Sequence, residues 1–379
     1  MNITQQFNPV RLVIGKDSIK ALPTEIKQFG NKCLVIVQDN NEAMMKIKDK
    51  VVSLLDSEHI EYDIFRDVRP NPLLSDIKKG IKMIQETEYN AIVAIGGGSV
   101  IDSAKLLSLS NKMNIDWEKE FSSRTMIKNV NKLPLLCVPT TAGTGSHCTQ
   151  AAIISDDQNQ KHSLYSFDFF SSVAFIDYTL TMSLPNTLTA STGFDAFCHL
   201  SESYIMGMLS PIYKVMNVDA MKKIASVLPS LLKENKPEYR EIMSIADSCA
   251  GISLSNGGAI IPHAFGEAIS SHVYRINHGC SLAIVYPSFI EHYFDDELYG
   301  EKIKDVVEII NYDSIVVENG KQARKIMEQF LDMLSIPYNL SAYEISQEEL
   351  EKIKNSLCNQ KRFPVESVFS IIEDICTLG

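Results

Sequence analysis

The sequence predicts an α/β domain with a mostly parallel sheet, followed by an all-α domain. Two observations carry this prediction. Before about residue 185, short apolar runs alternate with amphipathic helical patterns, which is typical of a parallel sheet covered by helices. After that point the helical patterns are long and strand signals are weak. We therefore expect one domain at residues 1–185 and a second at residues 186–379.

The strands of the first domain are predicted from short runs of apolar and β-branched residues. These runs are 10–15, Cys33–Val37, Tyr62–Phe65, Ala91–Ile95, Leu135–Val138 and Val173–Ile176. Helical spacing between the runs predicts helices at 41–56 and 74–86 and a third that begins near Val100. The segment Arg69–Pro72 contains two prolines, so we expect a loop there.

In the second domain, apolar residues at helical spacing predict long helices. They are expected at Leu188–Met206, Ile212–Leu232, Tyr239–Ser255 and Val317–Leu334. Ser191, Thr192 and Gly193 are residue types found at helix starts. We therefore expect the helical turns that carry Asp195 and His199 to begin there.

Composition and charge disfavour several classes of protein. The 379 residues are 45% hydrophobic and 22% charged, as in globular proteins, and suffice for two domains. The formal net charge of −11 disfavours nucleic acid as a partner, because phosphate binding requires a basic face. No apolar run reaches the roughly 18 residues of a membrane-spanning helix. The first residues lack the basic and apolar segments of a secretory signal. We expect a cytoplasmic protein that does not bind membranes.

The eight cysteines form no Cys-x-x-Cys pair, and several lie within apolar runs. This distribution is typical of buried, reduced thiols. Cys198 and Cys280 flank candidate metal ligands, so a role as soft ligands is the alternative interpretation.

A glycine-rich segment, Gly96–Ser99, follows a predicted strand and precedes a predicted helix. Glycines let phosphate oxygens approach the backbone, and a helix N-terminus supplies free N–H groups. The alternative is a plain strand-to-helix turn. A second segment, Pro139–Ser146, is rich in glycine and hydroxyl groups and also follows a strand. Together the two segments favour a dinucleotide-binding site.

Asp39 lies two residues beyond the predicted strand Cys33–Val37. A carboxylate at this place accepts hydrogen bonds from an adenosine ribose and repels a 2′-phosphate. Asp39 therefore favours NAD over NADP, although NADP stays possible. The alternative is that Asp39 is a helix N-cap or turn residue.

Four side chains of the second domain are of types that bind transition metals. Asp195 and His199 are four residues apart, so they share one face of a helix. His263 lies in an apolar stretch, where an imidazole without a partner is costly, and His278 precedes another apolar run. One carboxylate and three imidazoles suit Fe(II) or Zn(II). Such a metal acts as a Lewis acid on a substrate oxygen. Taken as a pair alone, Asp195 and His199 also fit an exposed carboxylate and a core histidine.

In several of these segments the chain resembles the iron-containing (group III) alcohol dehydrogenases of the dehydroquinate synthase-like fold. The resemblance rests on the segments 96–105, 139–146, 193–199 and 262–264. It implies a Rossmann-like first domain, a helical second domain, and an NAD(P)-linked alcohol dehydrogenase or aldehyde reductase acting on a small substrate. By position, Asp195, His199, His263 and His278 match the family's metal ligands. The positions that match its dinucleotide-binding residues are Asp39, Asn71, Gly97, Gly98, Ser99, Thr140, Thr141, Thr144, Lys161 and Leu180.

The chain departs from the family pattern around the expected substrate pocket. His147 stands where the family usually has Glu, and Glu267 stands where a second histidine often follows the third ligand. Glu267 is a candidate proton-relay group, and a solvated helix carboxylate is the alternative. The spacing from His263 to His278 is one residue longer than expected, so His272 is an alternative ligand. If His278 is the ligand, His272 is expected to line the pocket.

Two other functions stay open from the sequence alone. A dehydroquinate synthase-like lyase uses the same fold, cofactor and metal, but it requires basic side chains near the ligands, where Arg275 and Lys214 are the main candidates. A non-catalytic dinucleotide-binding protein is the third interpretation. For the dehydrogenase we expect a small-molecule alcohol or aldehyde as substrate and a homo-oligomer, namely a dimer. No protein nucleophile is expected.

Overall fold

The structure is a computed structural model that describes residues 4–123, 126–129, 131–359 and 365–377. The described chain divides into two compact units. One is Phe7–Leu184, and the other begins at Pro185 and includes residues 4–6. In the described part of the chain, no helix has the length and apolar character required to cross a membrane.

The first unit contains a parallel sheet, as the strand–helix alternation predicts. Its strands run in the order β1–β8–β5–β4–β2–β3. All neighbours in this sheet are parallel. The strands are β1 (Arg11–Ile14), β2 (Lys32–Val37), β3 (Glu61–Phe65), β4 (Ala91–Gly96), β5 (Leu135–Pro139) and β8 (Val173–Ile176). The predicted α/β class with a mostly parallel sheet is confirmed.

Helices cover both faces of this sheet. They are α1 (Leu22–Lys27), α2 (Glu42–Ser57), α3 (Leu74–Glu86), α4 (Gly98–Leu109) and α5 (Trp117–Ser122). Because side chains alternate along a strand, β2 contributes to two apolar clusters. Leu34 and Ile36 join a cluster with α3 and α4, whereas Cys33, Val35 and Val37 join one with α1 and α2. Burial on both faces explains why the strands are continuously apolar.

A short antiparallel hairpin was absent from the sequence-based prediction. Its strands are β6 (Ala151–Ser155) and β7 (Lys161–Tyr165). Strand β7 is largely polar in sequence, and β6 contributes an apolar run of only four residues, 151–154. The available signal is the polar segment 156–160 between two five-residue runs, which is typical of a hairpin connection.

The second unit is helical in its described residues, so the predicted all-α class is also confirmed. Its helices are α6 (Asn186–Met206), α7 (Pro211–Lys233), α8 (Pro237–Gly257), α9 (Ile261–His272), α10 (His278–Tyr293), α11 (Gly300–Ile310), α12 (Gly320–Met333), α13 (Gln347–Cys358) and α14 (Val365–Thr377). The predicted helix at Val317–Leu334 is α12, which begins at Gly320 after the N-cap residue Asn319.

The predicted helix start at Ser191–Gly193 is wrong. Helix α6 begins five residues earlier, at Asn186, after Pro185. The hydroxyls of Ser191 and Thr192 both donate to the carbonyl of Leu188, within the helix. Ser and Thr therefore act here as internal residues that bond to the preceding turn rather than as caps. The two candidate ligands lie in the middle of a long helix, where neighbouring turns fix their position.

Candidate cofactor and metal sites

Most of the predicted dinucleotide-binding residues lie just after the carboxyl ends of parallel strands. Asp39 follows β2, Asn71 lies in the loop after β3, Gly97–Ser99 follow β4, Thr140–Thr144 follow β5, and Leu180 follows β8. Carboxyl ends of parallel strands share one edge of the sheet. Strand β4 lies beside β2 although β3 comes between them in sequence, so the direction of strand addition reverses there. Ligands of open α/β sheets bind at such a reversal.

The two glycine-rich segments contact each other closely. A Cβ atom on Gly97 would lie 2.9 Å from Thr141 Oγ1, and one on Gly98 would lie 2.9 Å from Thr144 Cγ2. Helix α4 begins at Gly98, and its N-cap residue Gly97 provides no side-chain cap. The first N–H groups of α4 are therefore available to a ligand. The geometry fits a phosphate-binding turn beside a hydroxyl-rich loop.

A buried lysine of helix α4 connects that helix to the end of the hydroxyl-rich loop. Lys105 is fully buried in α4, and its Nζ donates to Ser146 Oγ at 2.8 Å and to Thr149 Oγ1 at 2.9 Å. It also donates to the carbonyl of Ala151 at 2.5 Å and lies 3.4 Å from Asp102 Oδ1. Burial lowers the pKa of Lys105, and the charge of Asp102 opposes that shift. Sequence reasoning missed this role, although the i, i+3 spacing of the pair within an apolar helix was a signal.

Asp102 completes the network. Its carboxylate accepts a hydrogen bond from Ser146 Oγ at 2.5 Å and from the backbone N–H of Ile153 at 3.0 Å. Asp102 and Lys105 thus connect helix α4 to the hydroxyl-rich loop and to strand β6. A buried ion pair of this kind requires several hydrogen bonds to offset its desolvation.

Asp39 lies between two basic side chains. Lys48 Nζ is 3.3 Å and Arg66 Nε is 3.1 Å from Asp39 Oδ2. Burial alone would raise the pKa of Asp39, but the hydrogen bonds from Arg66 and Lys48 outweigh it and lower that pKa. The N-cap of helix α2 is Asn41, whose side chain accepts from the N–H of Met44, so Asp39 is not that cap.

The remaining predicted cofactor residues have distinct settings. Asn71 has a positive φ of 54°, in the left-handed region that asparagine tolerates better than most residues. Leu180 is buried in a short 3-10 helix after β8. Lys161 is the first residue of β7 and pairs with Ser155 of β6. Lys161 is therefore the predicted residue that does not follow a strand of the parallel sheet.

His147, the residue that replaces the family's usual Glu, is buried just after the hydroxyl-rich loop. Its backbone carbonyl accepts a hydrogen bond from Ser171 Oγ at 2.8 Å. Burial, with a smaller contribution from the charge of Lys105, lowers the pKa of His147 to about 3. The side chain is therefore neutral at physiological pH.

The four predicted metal ligands converge in the helical unit. His263 Nε2 lies 3.5 Å, His199 Nε2 3.7 Å and His278 Nε2 3.8 Å from a single atom, Asp195 Oδ1. The rings of His199 and His263 stack with centroids 4.4 Å apart. Asp195, His199 and His263 are buried, whereas the His278 side chain is 31% exposed. The ligand atoms of Asp195, His263 and His278 all lie within 4.8 Å of one another, close enough to share one metal ion, and His199 lies outside this group of three. Three protein donors with one partly open side is the arrangement of a catalytic rather than a closed structural site.

Three helices bring these donors together. Asp195 and His199 share one face of α6, His263 lies in the first turn of α9, and His278 is the first residue of α10. The N-cap residue of α10 is Asn277, whose side chain accepts from the N–H of Cys280. A Cβ on Gly279 would lie 1.9 Å from the carbonyl oxygen of Ser191. A glycine after the ligand is therefore required for α10 to approach α6.

The residues at this focus fit a divalent cation. Asp195 Oδ1 and His263 Nε2 are buried polar atoms that have no hydrogen-bond partner within the described chain. Such atoms are costly unless a ligand satisfies them. Burial alone would raise the pKa of Asp195, but His199, His278 and His263 outweigh it and lower that pKa to about 2. The carboxylate is thus charged and faces three imidazoles, a donor set that suits Fe(II) or Zn(II).

A further buried residue, Glu202, contacts the site and was missed by sequence reasoning. Glu202 Oε1 lies 2.6 Å from His263 Nδ1. Burial alone would lower the pKa of His263, but the charges of Glu202 and Asp195 outweigh it and raise that pKa to about 10. The signal in the sequence was the spacing of Asp195, His199 and Glu202, which places three titratable residues on one stripe of helix α6.

Other candidates lie apart from the focus. His272 ends α9, nine residues after His263, which at 100° per residue places it on the opposite side of the helix. Burial and the charge of Lys352, on α13, lower its pKa. Cys198 is buried beside Glu202 and Asp195, and its pKa is raised well above the ordinary value by burial first and then by those charges. Burial also raises the pKa of Cys280. Among the described residues, the His, Cys, Asp and Glu side chains whose ligand atoms converge are Asp195, His263 and His278, and neither Cys198 nor Cys280 belongs to that group.

Two family patterns match most of the chain. The pattern described as iron-containing alcohol dehydrogenase matches residues 9–178. The pattern described as the C-terminal part of the Fe-containing alcohol dehydrogenase family matches residues 189–373. The chain therefore belongs to the iron-containing alcohol dehydrogenase family and is an oxidoreductase of the alcohol dehydrogenase and aldehyde reductase type.

Individual relatives agree with this assignment. An NAD-dependent methanol dehydrogenase of Bacillus methanolicus is 26% identical, over 98% of this chain and 99% of that protein. A lactaldehyde reductase of Escherichia coli K12 is 26% identical, over 82% of this chain and 81% of that protein. The crystal structure of an iron-containing alcohol dehydrogenase from Thermotoga maritima has a TM-score of 0.85 at 26% identity, covering 99% of this chain and all of that one.

Proposed function

We propose that this member of the iron-containing alcohol dehydrogenase family is an NAD(H)-preferring enzyme that interconverts a small alcohol and its aldehyde with the help of one divalent metal ion. The proposed ligands are Asp195, His199, His263 and His278. The proposed metal is iron, in line with the family, and zinc is the alternative. The substrate is proposed to be small because the named relatives include a methanol dehydrogenase and a lactaldehyde reductase.

One observation carries the metal part of the proposal. The Nε2 atoms of three imidazoles surround Asp195 Oδ1 at 3.5 to 3.8 Å. Direct hydrogen bonds of this type are about 2.7–3.2 Å long, so these contacts are too long to satisfy the groups by themselves. Protein distances to such a metal are about 2.0–2.2 Å, which suits an ion among Asp195, His263 and His278, whose ligand atoms all lie within 4.8 Å of one another. His199, with its Nε2 3.7 Å from Asp195 Oδ1, is proposed as the fourth ligand.

The proposed chemistry is divided between the two bound groups and the residues that hold them. A divalent metal would supply Lewis acidity toward the substrate oxygen, and the nicotinamide would donate or accept the hydride. His278, with its partly exposed side chain, leaves one side of the ligand set accessible to a small molecule. No side chain is required as a nucleophile.

The residues proposed to hold the dinucleotide act mainly through the backbone. The N-terminal N–H groups of α4, at Gly98 and Ser99, would receive the phosphate oxygens. Thr140, Thr141 and Thr144 would add hydroxyl donors from the adjacent loop. The carboxylate of Asp39 would accept hydrogen bonds from the ribose and disfavour a 2′-phosphate. Asn71, Gly97, Lys161 and Leu180 are proposed to complete the site.

The basic residues considered for a lyase have other partners. The guanidinium of Arg275 forms a two-pronged ion pair with Glu349 and also donates to the carbonyls of Tyr343 and Glu344. Lys214 lies over the ring of Tyr204, 4.8 Å from its centroid. These contacts disfavour a role in holding a phosphorylated and carboxylated substrate, and they support the dehydrogenase.

The test is a panel of small alcohols and aldehydes with NAD(H) and NADP(H), followed at the nicotinamide absorbance. The protein is first stripped with a chelator and then supplied anaerobically with Fe(II), Zn(II) or, as a control, Mg(II). We expect turnover with Fe(II) or Zn(II), preferably with NAD(H), and none with Mg(II), which prefers oxygen ligands. Absence of turnover with the whole panel, in protein that holds the metal, would contradict the proposal.

A further inference from the structure

We propose that Glu202 is a positioning residue of the metal centre: its buried carboxylate fixes the ring of His263 and the start of helix α9, and thereby strengthens metal binding. This inference rests on the proposed metal site, because it concerns how one ligand is held. It goes beyond that site because Glu202 is not one of the ligands. The argument uses three contacts of a single carboxylate.

The first contact sets the proton on the ring of His263. Glu202 Oε1 lies 2.6 Å from Nδ1, a short distance typical of a charged hydrogen bond. An ionised carboxylate only accepts, so Nδ1 carries the hydrogen. A metal ion that binds would displace the proton from Nε2, the atom that lies 3.5 Å from Asp195 Oδ1, while Nδ1 keeps its hydrogen toward Glu202. Glu202 thus selects the tautomer that presents a donor atom to the metal.

The other contacts fix the backbone that carries the ligand. Glu202 Oε2 accepts the N–H of Ile260 at 2.7 Å and lies 3.5 Å from the N–H of His263. Ile260 is the N-cap residue of α9 and has no side-chain cap of its own. A carboxylate from α6 therefore caps α9, where the helix dipole favours negative charge. The ring and the backbone of His263 are held by the two oxygens of one group.

The charge of Glu202 also has a consequence for a cation. The residue is fully buried, and His263 is its ion-pair partner among the described residues. A buried carboxylate is costly, and a neutral glutamine cannot accept with both ends of its side chain. Asp195 and Glu202 together place two negative charges at and behind His263, which match the two positive charges of Fe(II) or Zn(II). A bound divalent ion would offset the cost of burying these two charges.

The experiment compares Glu202→Gln and Glu202→Asp with wild type and with Ser201→Ala. Ser201 is equally buried on α6, but its hydroxyl bonds to Phe197, Cys198 and Tyr286 rather than to a ligand. The Kd for Zn(II) is measured on chelator-stripped protein by competition with a chromogenic chelator. Co(II) is bound in parallel, and its visible absorption reports ligand geometry. Circular dichroism and thermal unfolding of the metal-free proteins establish that each variant is folded.

We expect Glu202→Gln to weaken Zn(II) binding by about 10- to 100-fold and to shift the Co(II) spectrum. Glu202→Asp keeps the charge but shortens the reach, so it should weaken binding by more than about threefold. Ser201→Ala should stay within about twofold of wild type. A folded glutamine variant with wild-type Kd and Co(II) spectrum overturns the inference, as does a loss of thermal stability alone. If Glu202→Gln does not fold, a wild-type Kd for Glu202→Asp overturns it. Failure of the wild-type protein to bind metal would instead overturn the proposed function.

Discussion

The candidate cofactor site and the candidate metal site present their ligands in opposite ways. At the carboxyl edge of the sheet, the important residues are glycines and threonines, and the geometry is set by close backbone approach. Gly97 and Gly98 are required because a Cβ would contact Thr141 and Thr144 at 2.9 Å. In the helical unit the contacting groups are titratable side chains, and helix packing places them around Asp195.

Behind both sites lies a buried ionisable group that contacts the ligand-binding residues or their neighbours. Lys105 and Asp102 connect helix α4 to the hydroxyl-rich loop. Glu202 connects α6 to His263 and to the N-terminus of α9. The comparison indicates that both candidate sites depend on buried charged side chains. These side chains hold together the segments that carry the candidate ligand-binding residues. The predictions below test the two sites against each other.

The largest effect is expected at the metal site, where the histidines His278 and His272 make a matched pair. His278→Ala should strip the ion and abolish turnover, because it removes one of the four donors. His272→Ala should leave the metal content unchanged, since His272 lies beside α13. Metal content by elemental analysis and turnover with NADH and an aldehyde check both variants. Metal loss from His272→Ala, with His278→Ala still loaded and active, would reverse the assignment.

The next effect is expected behind the cofactor site, from Lys105→Met. This change leaves Asp102 buried without its cation, which typically costs about 3–5 kcal/mol in the free energy of unfolding. Weaker NADH binding should accompany it, because Ser146 and Thr149 lose a shared donor. Urea unfolding and NADH fluorescence titration measure the two effects. The control is Lys82→Met, an exposed lysine paired with Glu86 on α3, with an expected cost below about 1 kcal/mol. Equal stability of the two variants would remove the proposed role of Lys105.

The third effect concerns the choice of cofactor. Asp39→Gly should reduce the preference for NADH over NADPH, in kcat/KM, by about tenfold or more, which is about 1.4 kcal/mol. The reason is that the carboxylate that repels a 2′-phosphate is gone, and that Arg66 then lacks its Asp39 partner and can bind the phosphate. Lys48 loses one of its two carboxylate partners. Asp49→Ala also removes a partner of Lys48 but leaves Asp39 in place, so its ratio should match wild type. A wild-type enzyme with much higher kcat/KM for NADPH would refute the assignment of Asp39.

The smallest effect is a dependence of stability on pH. The pKa of His147 is about 3 in the folded protein against 6.5 as its ordinary value. The unfolded chain therefore binds more protons between these values. The contribution of His147 to the free energy of unfolding is fully present above about pH 6.5 and falls as the pH decreases toward 3. At pH 5.5 the loss is about 1–2 kcal/mol. His147→Gln should lessen the fall in thermal midpoint between pH 7.5 and pH 5.5. An unchanged fall would show that another group is responsible.

The class of both domains was predictable from the sequence, because strand and helix periods differ clearly between the two parts of the chain. The candidate site residues could also be predicted from the sequence. Residue types such as Asp195 and Gly97 have few roles that fit the segments in which they occur. The ligand atoms of Asp195, His263 and His278, predicted from the sequence as metal ligands, lie within 4.8 Å of one another in the structure. The hairpin of β6 and β7 was not predicted from the sequence, because its strands have only five residues each and β7 is largely polar.

The sequence did not reveal the buried charged residues that support each candidate site. The role of Glu202 depends on α9 starting beside α6, and that contact joins residues 58 and 61 positions apart. The role of Lys105 depends on loop residues more than 40 positions later. Periodicity reports which face of an element is buried, but it does not report which distant segment packs there. The helix start at Ser191 was misplaced for a related reason, because hydroxyl residues serve both as caps and as internal residues.

The central claim is that Asp195, His199, His263 and His278 hold one divalent ion, and metal stoichiometry tests it most directly. Protein is stripped with a chelator, reconstituted anaerobically with Fe(II) or Zn(II), desalted and subjected to elemental analysis. We expect about one ion per chain for wild type and loss of most of it for Asp195→Ala and for His263→Ala. The double variant Asp195→Ala/His199→Ala is the decisive sample. If it retains full metal content and activity, the site lies elsewhere and the account is wrong.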